Sequence, residues 1–255
     1  MLEAVVLGCV AWHALEAAAY WLHHKSEEVH RRHLALLSVR LAHAFAATLL
    51  SLRVLWKEGL GMDGAFDRAP CHAVPTADSV VQVSLAWGLW ELWAVCRDLE
   101  QQGLLMLIHA VVLVGSQSLV LGLGYMRHFM ASMLLTEVTE VFFSLRMIGL
   151  EAHGPPFRAT AADHFLRRTF IGSFAIMRFA WAGSRTVVHL SAIADGLMEG
   201  CVVQMNSLRC DSCTSLVADA TGTVVQTALN MWWGAQITHK VWRGRIRSKA
   251  RQKEV

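Results

Sequence analysis

Two carboxylates, Glu137 and Glu140, lie in an otherwise mostly apolar segment that runs from Leu134 to Leu150. Residues three apart share one face of a helix, so both acids are expected to point the same way. A carboxylate in the middle of a membrane costs roughly 2.5 to 3.5 kcal/mol unless it gains a cationic partner, water or a proton. The pair is therefore the first candidate for a functional site.

The partner of these acids must come from another helix. Arg146 follows Glu137 by nine positions and falls on nearly the opposite helical face. Several ionisable residues lie inside other apolar segments: Arg40, His43, Arg53, Glu91, His109, Arg178, Arg185 and His189. Together they predict a polar interior, although any single residue is as well explained by a structural ion pair that fixes the packing of two helices.

The elements that carry these residues are long apolar helices. The chain has 255 residues, of which 55% are hydrophobic, and ten tryptophans suit the membrane interfaces. About 20 apolar residues span a bilayer as a helix. The sequence therefore predicts an all-α, polytopic membrane protein of about seven transmembrane helices, at 2–22, 34–56, 79–97, 104–123, 128–150, 170–193 and 216–239.

The distribution of basic residues predicts the orientation. Loops one, three and five with the C-terminal tail hold fourteen Lys and Arg, whereas loops two, four and six hold four. This asymmetry places the C-terminus in the cytosol and the N-terminus in the lumen or outside. We expect a first helix with a cytosolic loop over 1–33, one membrane domain over 34–240 and a basic cytosolic tail over 241–255, which faces anionic lipid and not nucleic acid.

The cysteines and histidines give weaker signals. Six cysteines form no disulfide framework, but Cys210 and Cys213 allow a local bridge if their loop is lumenal. No second CxxC completes a zinc site, and we predict no metal. The string HHKSEEVHRRH, from His23 to His33, is either an interfacial connector or, less often for such a string, a metal-binding face.

Five segments, in order, resemble the TLC-domain family, which includes ceramide synthases and translocating-chain-associated membrane proteins. The run LLTEVTEVFFSLRMI is similar to the family's signature helix, and the pattern E-x-[ST]-x-x-F-x-x-x-R is matched at Glu137, Thr139, Phe142 and Arg146. The other four segments are RLAHAFAATLLS with His43, SLAWGLWELW with Ser84, Gly88 and Glu91, the start of the next helix with His109, and ALNMWWGAQI. The resemblance covers roughly residues 35 to 240.

The resemblance implies a TLC-type bundle around a lipid-accessible cavity, in the endoplasmic reticulum or another endomembrane. It implies a role in lipid metabolism or membrane-lipid homeostasis, with membrane lipids and possible membrane proteins as partners. In ceramide synthases, aspartates stand where this chain has Glu137 and Glu140, a histidine stands where it has Thr136, and two histidines stand where it reads Ile108, His109 and Ala110. One histidine of that pair is missing here.

If the protein is an enzyme, the resemblance implies acyl transfer from acyl-CoA, as a co-substrate and without a bound cofactor, to a lipid amine or alcohol. His109 is then the expected general base, and Glu137 and Glu140 share its proton. The residues expected to line the cavity are His43, Arg40, Glu91, Thr136, Thr139 and Arg146.

Two other functions fit the sequence. A non-enzymatic lipid-binding or cargo-associating protein would keep the cavity without the full histidine set. A seven-span receptor is a distant alternative, since no DRY-like triplet follows the third span and no NPxxY lies in the seventh.

Overall fold

A computed structural model describes residues 2–24, 26–58, 75–123, 127–198, 220–236 and 239. Throughout these residues the chain is helical and contains no strand. The all-α prediction is therefore confirmed. Cys210, Cys213 and the basic tail lie outside the described residues, as does the second loop from residue 59 to 74.

Seven helical rods follow one another along the described chain. The first four are α1 (Leu2–Leu22), α2 (Glu28–Glu58), α3 (Pro75–Arg97) and, after the short α4 (Leu99–Gln102), α5 (Leu104–Leu123). The fifth is composite: α6 (Arg127–Leu134), a 3₁₀ turn (Leu135–Glu137) and α7 (Val138–His153). A second 3₁₀ turn (Pro155–Ala159) leads to the sixth, which consists of α8 (Ala161–Ser173), a π-helical segment (Phe174–Trp181) and α9 (Ala182–Met198). The seventh is α10, over residues 220–236.

The rods agree with the predicted spans in number and order, but several are longer. Glycines with positive φ follow two helices where the chain turns, Gly103 after α4 and Gly154 after α7. Four helices are long and apolar enough to cross a membrane, namely Leu2–Leu22, Glu28–Lys57, Ala77–Arg97 and Leu104–Gly122. Hydropathy alone did not predict the 3₁₀ turn and the π segment, because both interrupt runs whose composition suits a regular helix.

Helix α3 is the centre of the described bundle. One apolar cluster joins it to α1 and α5 through Val5, Leu85 and Val120. A second joins it to α2 and α6 through Val54, Val80 and Leu134, and a third packs its tryptophans against α2. These apolar contacts, distributed along α3, hold its polar residues in the interior of the bundle.

The contact between α1 and α3 requires a small residue at position 8. A Cβ built on Gly8 would lie 2.6 Å from Cβ of Ala86, whereas one built on Gly115 of α5 would have nothing within 4 Å. We expect Gly8→Ala to lower the free energy of unfolding by about 1 to 3 kcal/mol relative to Gly115→Ala, because α1 must move away from α3. Both variants gain the same helix propensity, so the difference isolates the contact. Unfolding of the two proteins in mixed micelles measures it, and equal stabilities would contradict the close approach.

Candidate functional site

An interior cluster of ionisable side chains forms where α2, α3, the composite fifth rod and the π segment meet. Its members are Arg40, His43, Glu91, Glu137, Glu140 and Arg178. Helix α2 supplies Arg40 and His43 from one face, since they are three residues apart. The 3₁₀ turn and the start of α7 supply the two glutamates, and the π segment supplies Arg178. Both irregular segments contact each other, so the acids and this arginine meet where the helices deviate from α geometry.

Glu91 is neutralised by Arg40. The Nη2 group of Arg40 donates to one carboxylate oxygen of Glu91 at 2.6 Å, and Nε donates to the other at 3.4 Å. The same Nη2 also donates to the Gln102 side-chain oxygen at 3.0 Å. Glu91 is only 1% exposed, so burying its charge costs free energy through desolvation. The two hydrogen bonds from Arg40 offset that cost.

His43 is held in one orientation by α3. Its Nε2 lies 3.1 Å from the Ser84 hydroxyl, and its ring stacks on Trp87 with centroids 3.8 Å apart and an interplanar angle of 7°. Its Nδ1 lies 4.0 Å from a carboxylate oxygen of Glu137 and has no hydrogen-bond partner in the described part of the chain. The imidazole is therefore fixed between a hydroxyl and a carboxylate, with one nitrogen left to react or to bind.

Arg178 ties the fifth, sixth and seventh rods together. Its Nη2 donates to Glu137 at 3.5 Å, its Nε donates to the Thr139 hydroxyl at 3.2 Å, and its Nη1 donates to the Asn230 side-chain oxygen at 3.0 Å. Thr139 in turn donates to the Thr136 carbonyl at 2.9 Å. These hydrogen bonds position Glu137. Predicting the spans alone does not show that Glu137 pairs with Arg178, which lies 41 positions further along the chain.

Glu140 interacts electrostatically with both arginines of the cluster. Both Arg40 and Arg178 are within electrostatic range of its carboxylate, and Ser144 donates to it at 3.5 Å. Glu137 and Glu140 therefore interact with arginines from two different helices, as expected for carboxylates in apolar helices of a membrane protein.

Among the described residues, His109 contacts the last helix, α10, and not the glutamates that were expected to share its proton. Its ring packs edge-on against Trp233 with centroids 5.1 Å apart, and Gln226 lies beside it. No hydrogen bond joins it to Glu137 or Glu140 among the described residues, and its Nδ1 is without a partner there. The histidine next to Glu137 is His43, whereas His109 shares only the electrostatic environment of Arg178, Glu91 and Arg40.

Arg146 is placed apart from the cluster. Its Nε donates to Asp163 of α8 at 2.7 Å, and Asp163 is 4% exposed as a side chain. The Thr160 hydroxyl caps the start of α8 by accepting from the Asp163 backbone N–H. The position that matches the family pattern thus joins α7 to α8 and does not face the glutamates.

This ion pair predicts a measurable coupling. We expect the stability losses of Arg146→Gln and Asp163→Asn to be less than additive in the double variant by about 1 to 3 kcal/mol, because both single changes remove the same contact. Unfolding of the wild type and the three variants in mixed micelles gives this coupling energy. Purely additive losses would mean that the two side chains act independently.

A cavity of about 400 Å³ shares one residue, Arg40, with the cluster. It is lined by Glu28, Val29, Arg32, His33, Leu36, Arg40, Asp98 and Gln102. These residues place it at the end of the bundle where α2 begins and α3 ends, which we call the Arg97 end.

The histidine string at the start of α2 contacts α7. His30 Nδ1 and His33 Nδ1 lie 2.5 Å and 3.6 Å from the same carboxylate oxygen of Glu151. Among the described residues, no three His, Cys, Asp or Glu side chains are arranged to hold a metal ion. The contact therefore links the first turn of α2 to the last turn of α7.

The sequence indicated most members of the cluster but not how they pair. His43, Arg40, Glu91, Glu137, Glu140, Thr136 and Thr139 are brought together by the contacts above, while His109 lies at the edge and Arg146 lies outside. Arg178 was among the predicted candidate partners of the glutamates, whereas the roles of Ser84 and Asn230 were not predicted. Ser84 and Asn230 both lie in segments that resemble the TLC-domain family, and this was the feature of the sequence that could have indicated their roles.

The comparisons with known proteins agree with this architecture. A family model described as TLC domain matches residues 35–239. No curated protein and no solved structure matches the chain. The match includes every residue of the interior cluster and leaves α1 and about the first two turns of α2 outside it.

Proposed function

Because the chain belongs to the TLC-domain family and is a polytopic membrane protein, we propose that it acts on membrane lipids by transferring an acyl group from acyl-CoA to a lipid amine or alcohol. The observation that carries this proposal is His43, which lies between Ser84 and Glu137 inside the bundle with its Nδ1 unpartnered among the described residues. An imidazole beside a carboxylate is suited to accept a proton.

The proposed reaction gives roles to His43, Glu137 and Ser84. The acceptor nitrogen or oxygen attacks the thioester carbonyl, its proton moves to His43, and the carbon–sulfur bond breaks as the new C–N or C–O bond forms. The proton then passes to the leaving thiolate of coenzyme A. Glu137 stabilises the imidazolium in this scheme, and Ser84 keeps the ring in place. We thus propose for His43 the general-base role that the family resemblance implied for His109.

The 400 Å³ cavity suits the approach of the co-substrate. Arg32, His33 and Arg40 line it, and phosphate groups are bound by such cationic side chains. In the orientation predicted from basic residues, the Arg97 end faces the cytosol, where acyl-CoA is found. The acyl chain would then enter toward Arg40 while the nucleotide stays at the mouth.

Purified full-length protein incubated with labelled acyl-CoA and a panel of sphingoid, lysolipid and alcohol acceptors tests the proposal. We expect an acylated product from at least one acceptor. Absence of product with every acceptor, in a preparation that stays folded, would overturn it.

Non-enzymatic lipid binding is a second candidate, favoured by one observation. The cations of the cluster are already paired within the protein, Arg40 with Glu91 and Arg178 with Glu137, and Trp87 covers one face of His43. A protein of this kind would retain co-purified lipid without turnover, in the wild type and in His43→Gln alike.

A further inference from the structure

A second cavity, which we call the α1 groove, lies between α1, the first turns of α2 and the last turns of α3. It has a volume of about 490 Å³, within the range of small-molecule sites. It is lined mainly by Glu16, Tyr20, Glu28, Arg32, Trp93 and Arg97. Its residues on α1 and at the start of α2 precede the segment matched by the family model, and none of the lining residues belongs to the interior cluster.

The charged side chains that line the α1 groove are joined in ion pairs. Arg97 pairs with Glu16 at 3.0 Å and with the neighbouring Asp98 at 3.2 Å, and Arg32 pairs with Glu28 at 2.8 Å. Each guanidinium keeps its Nη1 group without a hydrogen bond among the described residues, and a guanidinium has five donors in all. Glu28 remains half exposed although Tyr20 and Arg32 donate to it. The groove thus offers free donors for an anion and an accessible carboxylate for a cation.

Apolar stripes continue from the α1 groove into the bundle's lipid-facing surface. On α1, Val6 and Val10 share the helical face of Ala17 and Tyr20, and they are 52% and 61% exposed. On α3, Leu89 precedes Trp93 and Arg97 at intervals of four residues and is also exposed. Aromatic side chains such as Trp93 and Tyr20 are typical of the membrane interface. The charged part therefore lies at head-group depth, and the apolar part lies at acyl-chain depth.

We infer that the α1 groove binds a zwitterionic phospholipid. The phosphate lies against the free donors of Arg32 and Arg97, the cationic group of the head lies against Glu28, and the acyl chains follow Val6, Val10 and Leu89. An anionic phospholipid fits less well, because its extra negative charge has no cation beyond the two that Glu16 and Glu28 already balance. A neutral diacylglycerol lacks the phosphate that the arginines would hold.

Native mass spectrometry of the full-length protein with three lipids of matched chains tests this inference: phosphatidylcholine, phosphatidylglycerol and diacylglycerol. We expect preferential retention of phosphatidylcholine. Arg97→Gln is expected to weaken its binding about tenfold, since a charge-assisted hydrogen bond is lost. Arg32→Gln should weaken binding similarly. It removes only an exposed ion pair, so it serves as the test if Arg97→Gln proves unstable. Arg158→Gln, an exposed arginine elsewhere, is the matched control and should bind like the wild type.

Photo-crosslinking locates the lipid independently of stability. A phosphatidylcholine with a photoreactive group near the glycerol is expected to label peptides from 2–22 and 75–97. Labelling confined to other helices, equal retention of the three lipids, or equal affinity of Arg32→Gln and Arg158→Gln would each overturn the inference. Glu28 and Arg32 also line the cavity that contains Arg40, whereas Arg97 and Trp93 line only the α1 groove. The effect of Arg97→Gln and the crosslinking pattern are therefore the readouts that do not depend on acyl transfer.

Discussion

Replacing Glu91 with leucine is expected to lower the free energy of unfolding by about 3 to 5 kcal/mol, because it leaves the Arg40 guanidinium inside the bundle without its carboxylate. The side chains are 1% and 14% exposed, so little water can replace the lost partner. Gln102 would still accept one hydrogen bond from Arg40, but it carries no charge. Unfolding in mixed micelles measures the change.

The double variant Arg40→Leu with Glu91→Leu is the control for this prediction. Removing both charges eliminates the unpaired ion, so the double variant should be more stable than Glu91→Leu alone. A double variant that is no more stable than the single one would mean that packing, and not the charge, accounts for the loss.

The second large effect concerns catalysis. If the protein transfers acyl groups as proposed, His43→Gln should reduce turnover by about 10²- to 10⁴-fold, the usual contribution of a general base. Glutamine keeps a polar group near Ser84 but cannot accept the proton. Initial rates with labelled acyl-CoA measure the effect, and circular dichroism of the same preparation checks that the helices are retained.

Two further histidine variants make this result interpretable. His164→Gln changes an exposed residue of α8 and should leave the rate unchanged. His109→Gln should reduce the rate less than His43→Gln, because His109 has no hydrogen bond to the glutamates within the described residues. A larger loss in His109→Gln would return the role of general base to the residue that the family resemblance indicated.

The class of fold could be predicted from the sequence because long apolar helices leave a direct compositional signal. The number and order of the rods follow from that signal, and the resemblance of five segments to the TLC-domain family agrees with the family match. The interior polar residues were identified for the same reason, since an ionisable side chain in an apolar run is conspicuous.

The pairing within the cluster could not be predicted, because it depends on helix rotation and on breaks in helix geometry. The pattern E-x-[ST]-x-x-F-x-x-x-R gave equal weight to Glu137 and Arg146, yet the two residues lie on opposite faces and have different partners. Likewise, His43 and His109 were both visible as intramembrane histidines. Their contacts distinguish them, because His43 stacks on Trp87 and lies next to Ser84 and Glu137, whereas His109 packs against Trp233.

The π-helical segment from Phe174 to Trp181 has a consequence for how insertions and deletions would act on this protein. A π turn accommodates one more residue than an α turn, so it is equivalent to a single-residue insertion in an ordinary helix. Deleting one residue between Ala175 and Met177 would allow α geometry to be restored with the following side chains in about their present orientation. If the same residues formed a regular α-helix instead, the side chains after the segment would be rotated by about 100° relative to α8. Arg178 would then turn away from Glu137, Thr139 and Asn230 together, so this segment tolerates the loss of one residue better than the loss of its wide turn.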